Sequence, residues 1–219
     1  MKRPRAVSTA AQHINQKLYE HTRQGSFVLT LGRNHSIGIG TVSGTAKAIR
    51  ERFSGSEMAV FLIDAHADIN TPETSLSGRI HGMPVAFVSG LFKLVEVTGR
   101  EYEAFGWIEN EHMINLKRFV YIGLRNVDEA EKETIEKYGI KALKFPVAPG
   151  LSLEESRYIA KRLHQTENLV AMDLVEISPQ VKSDKLSVTV DSRCSVISNA
   201  LGVSNDSMDI IISVVFDIG

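Results

Sequence analysis

The sequence predicts an α/β fold of three layers, α/β/α, with helices on both faces of a mainly parallel sheet. Two observations predict it. Short apolar runs rich in β-branched residues recur along the chain, and most are followed by a turn and then a stretch of helical composition. The strongest run, Ala59-Val60-Phe61-Leu62-Ile63, has no polar residue until it ends in Asp64-Ala65-His66-Ala67-Asp68-Ile69-Asn70. Polar residues released at the carboxyl ends of buried parallel strands are where sites form in such sheets.

In order along the chain, residues Ser8 to Arg23 are mostly polar or good helix formers, and Ile14 and Leu18 lie four apart, which predicts a helix closed by Gly25. Ser26 to Leu31 reads as a strand. A turn, Gly32-Arg33-Asn34-His35-Ser36, leads to a helix around Ser43 to Phe53. The pattern repeats with the strand Val60 to Ile63, and again with the strand Phe119 to Leu124 and the charged helix Asp128 to Tyr138. A strand from Ile140 to Phe145, a helix from Leu153 to Gln165 and a strand from Leu169 to Val175 complete the alternation. Lys93 to Asn115 has mixed polarity and reads as a long surface excursion. With no repeat, linker or compositional break, residues 1–219 are expected to form one domain, with 203–219 as a divergent tail.

Composition narrows the function classes. At 219 residues the chain can bury a sizeable core, and 43% hydrophobic with 23% charged residues is ordinary for a soluble globular protein. A formal net charge of −1 provides no bulk field for nucleic acid or an anionic membrane, so neither is expected as a partner. The basic cluster Lys2, Arg3 and Arg5 reads as a solvated end. A single cysteine, Cys194, excludes an intrachain disulfide and fits a reducing compartment. No apolar signal core or membrane-length stretch is present, so a cytoplasmic protein is expected. The alternative is a mitochondrial transit segment, since no acidic residue precedes Glu20.

The chemistry concentrates after the second strand. If the backbone stays extended there, period 2 sends Asp64, His66 and Asp68 to one side. Two carboxylates and an imidazole converging at a strand end suit a divalent metal such as manganese. The same residues, with Asn70-Thr71-Pro72, Ser77-Gly78 and His81-Gly82, strongly resemble the arginase family of binuclear manganese hydrolases. The resemblance runs from about Leu31 to Pro179 and more faintly to Gly202. It implies an arginase-like fold, hydrolysis of L-arginine to L-ornithine and urea (arginine catabolism, the urea cycle), two Mn2+ ions in an intact member, and a homo-oligomer.

Residue by residue, Leu31-Gly32-Arg33-Asn34-His35-Ser36 is similar to the family's Leu-Gly-Gly-Asp-His-Ser, which implies His35 as outer ligand of the first metal. Arginine in place of the second glycine would cost strain if that position has a positive φ. Asp64 would bridge both metals, Asp68 would join the first and His66 the second. Asp68 is thus also counted among the catalytic carboxylates. His81 matches the histidine that passes a proton to the departing amine, a task suited to a group titrating near neutrality. Asn70 and Ser77 match the contacts to the substrate α-carboxylate, and Arg79 stands where the family often has asparagine. Asp128, in Gly123-Leu124-Arg125-Asn126-Val127-Asp128, matches the contact to the α-amino group, with a helix N-cap as its ordinary reading. Asn126 replaces a family aspartate. Glu131 is family-like, or a solvated helix residue. Glu176 matches the glutamate that both binds and holds the guanidinium for reaction, and Asp173 in the same motif reads as structural.

The family also carries a strand ending in a Phe-Asp-Val-Asp-type motif whose two aspartates complete the metal pair. It is missing between Phe145 and Leu151. The resemblance then leaves His35, Asp64 and Asp68 for one metal and only His66 and Asp64 for a second, so one firmly held Mn2+ or none is expected. The sheet is expected to be incomplete, because losing a central strand leaves neighbouring edges unpaired. The chain also begins inside the family pattern, without its first strand and helix. Two alternatives to an active arginase stay open: an impaired relative that binds one metal or an intact subunit, and an agmatinase-like hydrolase of another guanidino compound.

Overall fold

The computed structural model describes residues 1–93, 103–144, 150–176 and 183–203. Two compact units are formed, one of residues 1–150 with 170–178, the other of 151–169 with 179–219. The first unit begins with α1 (Pro4–Arg23), four residues earlier than the apolar pattern indicates, with proline in its first turn. Proline's fixed φ suits that position, and its missing N–H costs nothing there.

After β1 (Val28–Leu31) and a 3-10 turn at His35–Ile37 comes α2 (Gly38–Arg52), which starts five residues before the predicted boundary at Ser43. Gly38, Gly40 and Gly44 lie inside it, and glycine weakens an isolated helix. Tertiary packing overrides that propensity here. A Cβ on Gly40 would collide with the Ala11 carbonyl and come within 2.8 Å of Ile14, and one on Gly44 would collide with the Asn15 carbonyl. Gly40 and Gly44 are therefore the groove in which α1 crosses α2. The buried Asn15 amide finds its partner in the same crossing, donating to Ser43 Oγ at 2.8 Å.

Next follow β2 (Val60–Ile63), a 3-10 turn at Ile80–Gly82, and α3 (Pro84–Val88), all of whose residues are buried. Then β3 (Phe119–Leu124) leads to α4 (Glu129–Tyr138) and β4 (Lys141–Lys144), while β5 (Ala171–Leu174) closes the unit. All described pairings are parallel, and every predicted strand is present, most of them trimmed at the ends. The strands divide into a two-stranded sheet, β1-β5, and a three-stranded sheet, β2-β3-β4. Among the described residues β5 pairs only with β1, and β2 only with β3. Phe61, Ile63 and Leu143, which share one face of the three-stranded sheet through their register with Val120 and Ile122, are 44%, 45% and 60% exposed.

The opposite face carries the core. Val60, Leu62, Phe119 and Tyr121 pack with Ala67, Ile69, Val85, Val88 and Ile114. A second cluster joins Ile39, Met83, Phe87, Phe92, Phe105 and Ile108. The reading of Lys93 to Asn115 as a surface excursion is corrected here: Phe105, Ile108 and Ile114 are 0–1% exposed. Isolated apolar residues without a period give no local signal of burial, since only their tertiary neighbours reveal it. In the second unit, Ser152 and Glu155 form a capping box on α5 (Leu153–His164), and Arg157 Nε donates to Ser195 Oγ on α6 (Ser183–Ala200) at 2.6 Å. The expectation of a missing strand at residues 145–149 and the expectation for the tail from 204 onward lie outside the described residues.

Because the obstacle at Gly44 is backbone, Gly44→Ala is expected to lower stability by about 1–3 kcal/mol, the cost of overpacking. The check is a denaturant midpoint. An unchanged midpoint would mean that α1 does not approach α2 as closely as described.

Candidate metal and substrate site

Two strand ends build the site. After β2, the Asp64 carboxylate accepts the His66 N–H at 3.0 Å, which turns the chain at once. The backbone does not stay extended, and Asp68 has a φ of +51. A left-handed non-glycine residue costs on the order of 1–3 kcal/mol and persists only where its surroundings hold it. Here they do. Tyr121 Oη donates to the Ala67 carbonyl at 2.7 Å, Val85 N–H donates to the Asp68 carbonyl at 3.1 Å, and Ile69 N–H donates to Glu131 Oε1 at 3.3 Å. Burial pushes the Tyr121 phenol well above its ordinary range, so it stays a donor. Burial and then the neighbouring Asp128 also raise the Glu131 carboxyl, while its bonds to the Asp128 and Ile69 N–H groups work against them.

The turn after β1 brings His35 to these carboxylates. Its Nδ1 lies 2.9 Å from Asp68 Oδ2 and 3.2 Å from Asp64 Oδ2. The ligand atoms of His35, Asp64 and Asp68 all fall within 4.8 Å of one another, a donor set able to hold a metal ion. Burial opposes charge on His35, yet the bond to Asp68 and the Asp68, Asp64 and Glu176 carboxylates outweigh it and hold the imidazole above its ordinary pKa. The strain foreseen at Arg33 is absent. That residue is exposed and is not among those of positive φ, and Asn34 caps the 3-10 turn by accepting from Ser36 N–H at 3.0 Å.

His66 does not point with the other two. Its side chain is 53% exposed, with Nδ1 3.4 Å from the other Asp64 oxygen, Oδ1. The alternation expected from an extended strand fails because the strand ends at Ile63. Glu176 follows β5 with a φ of +57, and its Oε1 accepts the His35 backbone N–H at 3.1 Å. Asp173 is tied through its carboxylate to the Thr41 hydroxyl on α2. Burial raises its pKa against that bond, as suits a group joining helix to strand. His81 lies in the 3-10 turn Ile80–Gly82, which packs against the turn carrying His35.

The expected α-carboxylate and α-amino contacts meet in part. Asn70 Nδ2 donates to Asp128 Oδ2 at 2.7 Å, and Asp128 Oδ1 accepts from Glu131 N–H at 2.9 Å, so Asp128 is an N-cap whose other oxygen holds the Asn70 amide. Ser77 stands on an exposed turn, where its hydroxyl accepts from Arg79 N–H at 3.2 Å. Two participants escaped sequence reasoning. Thr74 Oγ1 donates to Asn70 Oδ1 at 2.7 Å and fixes the direction of that amide, and Asn126 Nδ2 lies 3.1 Å from His66 Nε2. Asn126 stood out in the sequence as a replaced aspartate, but nothing there pairs it with His66.

Comparison with known proteins meets this geometry. The family model described as Arginase family matches residues 2–146 and 144–202, two pieces that meet beside the missing strand. The arginase of Coccidioides immitis is 43% identical over 246 residues, covering 92% of this chain and 74% of its own. That alignment is longer than the chain itself, so a few dozen of its positions have no counterpart here. The arginase of Neurospora crassa is 40% identical, with 93% of this chain and 68% of its own covered. The crystal structure of a cold-adapted arginase from the yeast Glaciozyma antarctica superposes with a TM-score of 0.75 at 33% identity, covering 92% of this chain and 79% of its own. The fold is that three-layer α/β/α fold, and the chain belongs to the arginase family of hydrolases.

Proposed function

We propose that this chain acts on L-arginine, releasing L-ornithine and urea, with divalent manganese held by His35, Asp64 and Asp68. The observation that carries the reading is the meeting of one imidazole and two carboxylates at the ends of β1 and β2 in a member of this family. Hard carboxylate oxygens with one imidazole suit manganese. Among the described residues no lysine or arginine forms an ion pair with Asp64 or Asp68, whose carboxylates face the imidazoles of His35 and His66. When bound, the metal lowers the pKa of a ligand water towards neutrality, which is the chemistry that attack on an unreactive guanidinium requires.

The protein's own groups do the rest. The Glu176 carboxylate accepts from the guanidinium N–H fork and sets the planar carbon against the cluster. His81 delivers a proton to the departing amine, so that ornithine leaves as a neutral amine rather than an amide anion. Asn70, Ser77 and Asp128 bind the α-carboxylate and α-amino groups at the outer end.

A second reading has its own support. Among the described residues only one three-ligand cluster forms, and the family match breaks beside residues 144–146. An impaired member that keeps one metal, or that associates with an intact subunit, accounts for both. Elemental analysis with a urea assay separates the readings. About one manganese per chain with turnover far below an intact arginase is expected, because one metal activates water less well than two. Two tightly held ions with full activity would refute this ligand count.

Arginine should be strongly preferred to agmatine, since polar partners left unpaired by the smaller substrate cost about 1–3 kcal/mol each. Equal kcat/KM for the two would instead indicate an agmatinase-like hydrolase. His81→Ala should reduce turnover by about 10²–10⁴-fold while leaving the manganese content unchanged, the behaviour of a proton donor rather than a ligand. Metal lost together with activity would make His81 a ligand.

A further inference from the structure

The departure of His66 from the cluster has a local cause. Its ring lies between two groups of opposite hydrogen-bonding character. On one side the Asp64 carboxylate, an acceptor only, faces Nδ1 at 3.4 Å. On the other the Asn126 amide nitrogen, a donor only, faces Nε2 at 3.1 Å. A donor requires a lone pair opposite it, so Nε2 accepts. The single proton of the neutral ring then sits on Nδ1, on the side of the Asp64 carboxylate. The Asn126 contact selects this tautomer, and a carboxylate on the Nδ1 side is compatible with it.

The pairing is built into the fold. Arg125 N–H and Asn126 N–H both donate to the Ala65 carbonyl, at 3.0 and 2.9 Å, and staple the segment after β3 to the residue preceding His66. The register of β2 with β3, Ile63 beside Ile122, carries the two strand ends there together. Asn126 therefore keeps its place beside the ring even though both side chains reach solvent.

In this tautomer neither nitrogen of His66 offers a free lone pair: Nδ1 holds the proton and Nε2 is engaged by the amide. We propose that Asn126 is the positioning residue that sets the tautomer of His66, and that in doing so it withholds His66 from metal ligation. Ligation beside Asp64 through Nδ1 needs the ring proton on Nε2. The Asn126 amide must then turn over to present its Oδ1. The proton leaves one nitrogen and returns to the other, so nothing is gained or lost overall. The inference rests on the metal reading of the preceding subsection, but the tautomer can be measured with no metal present.

The test uses the full chain labelled with ¹⁵N-histidine, freed of metal and held at a pH well above the ordinary imidazole range. Long-range ¹H–¹⁵N spectra show which ring nitrogen carries hydrogen, with His66→Gln identifying the signal. Wild type should show hydrogen on Nδ1. Asn126→Asp presents only acceptors and should move the proton to Nε2. Asn126→Leu, similar in size and without hydrogen bonds, should weaken the Nδ1–H preference. Manganese is then titrated against a chelator. Asn126→Asp should tighten the second equivalent by about 10-fold or more, the scale of outer partners of metal-bound histidines, whereas Asn126→Leu removes the donor without adding charge and should tighten it less.

Hydrogen on Nε2 in the wild type, or an Nδ1–H preference unchanged in Asn126→Leu, overturns the proposal. So does a tautomer that moves in Asn126→Asp with no change in the second manganese affinity while the first ion binds. Failure of every variant to bind any manganese would count against the metal reading alone, because the spectra still decide what Asn126 does.

Discussion

Three consecutive residues after β2 have their backbone held from three directions, and the site depends on that grip. The Ala67 carbonyl accepts from the Tyr121 phenol on β3, the Asp68 carbonyl from Val85 N–H at the start of α3, and Ile69 N–H donates to Glu131 on α4. Each bond contributes roughly 0.5–1.5 kcal/mol net. Together they match the 1–3 kcal/mol that a left-handed residue such as Asp68 costs. Ala67 and Ile69, 0% and 1% exposed, are driven into the core on either side, which leaves Asp68 to turn outward to His35.

That arrangement also joins two sheets that share no strand pairing. His35 comes from the end of β1 and Asp64 from the end of β2, while Glu176 from the end of β5 receives the His35 backbone N–H. The strand ends meet through side chains at the cluster, although among the described residues no pairing joins β1 or β5 to β2, β3 or β4. On the face of the three-stranded sheet away from the core, Phe61 and Ile63 of β2 are 44% and 45% exposed. The two-piece family match meeting at residues 144–146 fits an absent strand as its origin.

Charge in the site is strongly one-sided. Asp64 and Asp68 face the His35 imidazole, Asp64 also faces that of His66, and no lysine or arginine forms an ion pair with either carboxylate among the described residues. Both His35 and Glu131 are held above their ordinary pKa, for different reasons: burial opposes charge on His35 but the Asp68, Asp64 and Glu176 carboxylates outweigh it, whereas burial first and then Asp128 raise Glu131. A family of hydrolases that handles a cationic substrate has reason to keep such a field, since a guanidinium gains from the same carboxylates that favour a metal ion.

The sequence by itself determined the alternation of strands and helices, the parallel sheet, and the list of residues at strand ends. These are written in local periodicity and in residue type, which need no tertiary partner to be read. Phe119–Leu124 was legible to the residue because an apolar run between polar flanks has only one reading at that length. Tertiary structure decided the rest. The early start of α2 comes from the crossing of α1, which rewards glycine where helix propensity penalises it. The burial of Phe105, Ile108 and Ile114 depends on distant contacts and leaves no periodic trace. The period-2 rule grouped Asp64, His66 and Asp68, but the rule holds only while the backbone is extended. The Asp64 carboxylate accepts the His66 N–H and Asp68 is left-handed, so His66 stands apart while His35 meets Asp64 and Asp68, the trio that the family resemblance had grouped. A carboxylate can bond its own backbone two residues on, and whether it does is settled by what the surrounding fold can hold in place.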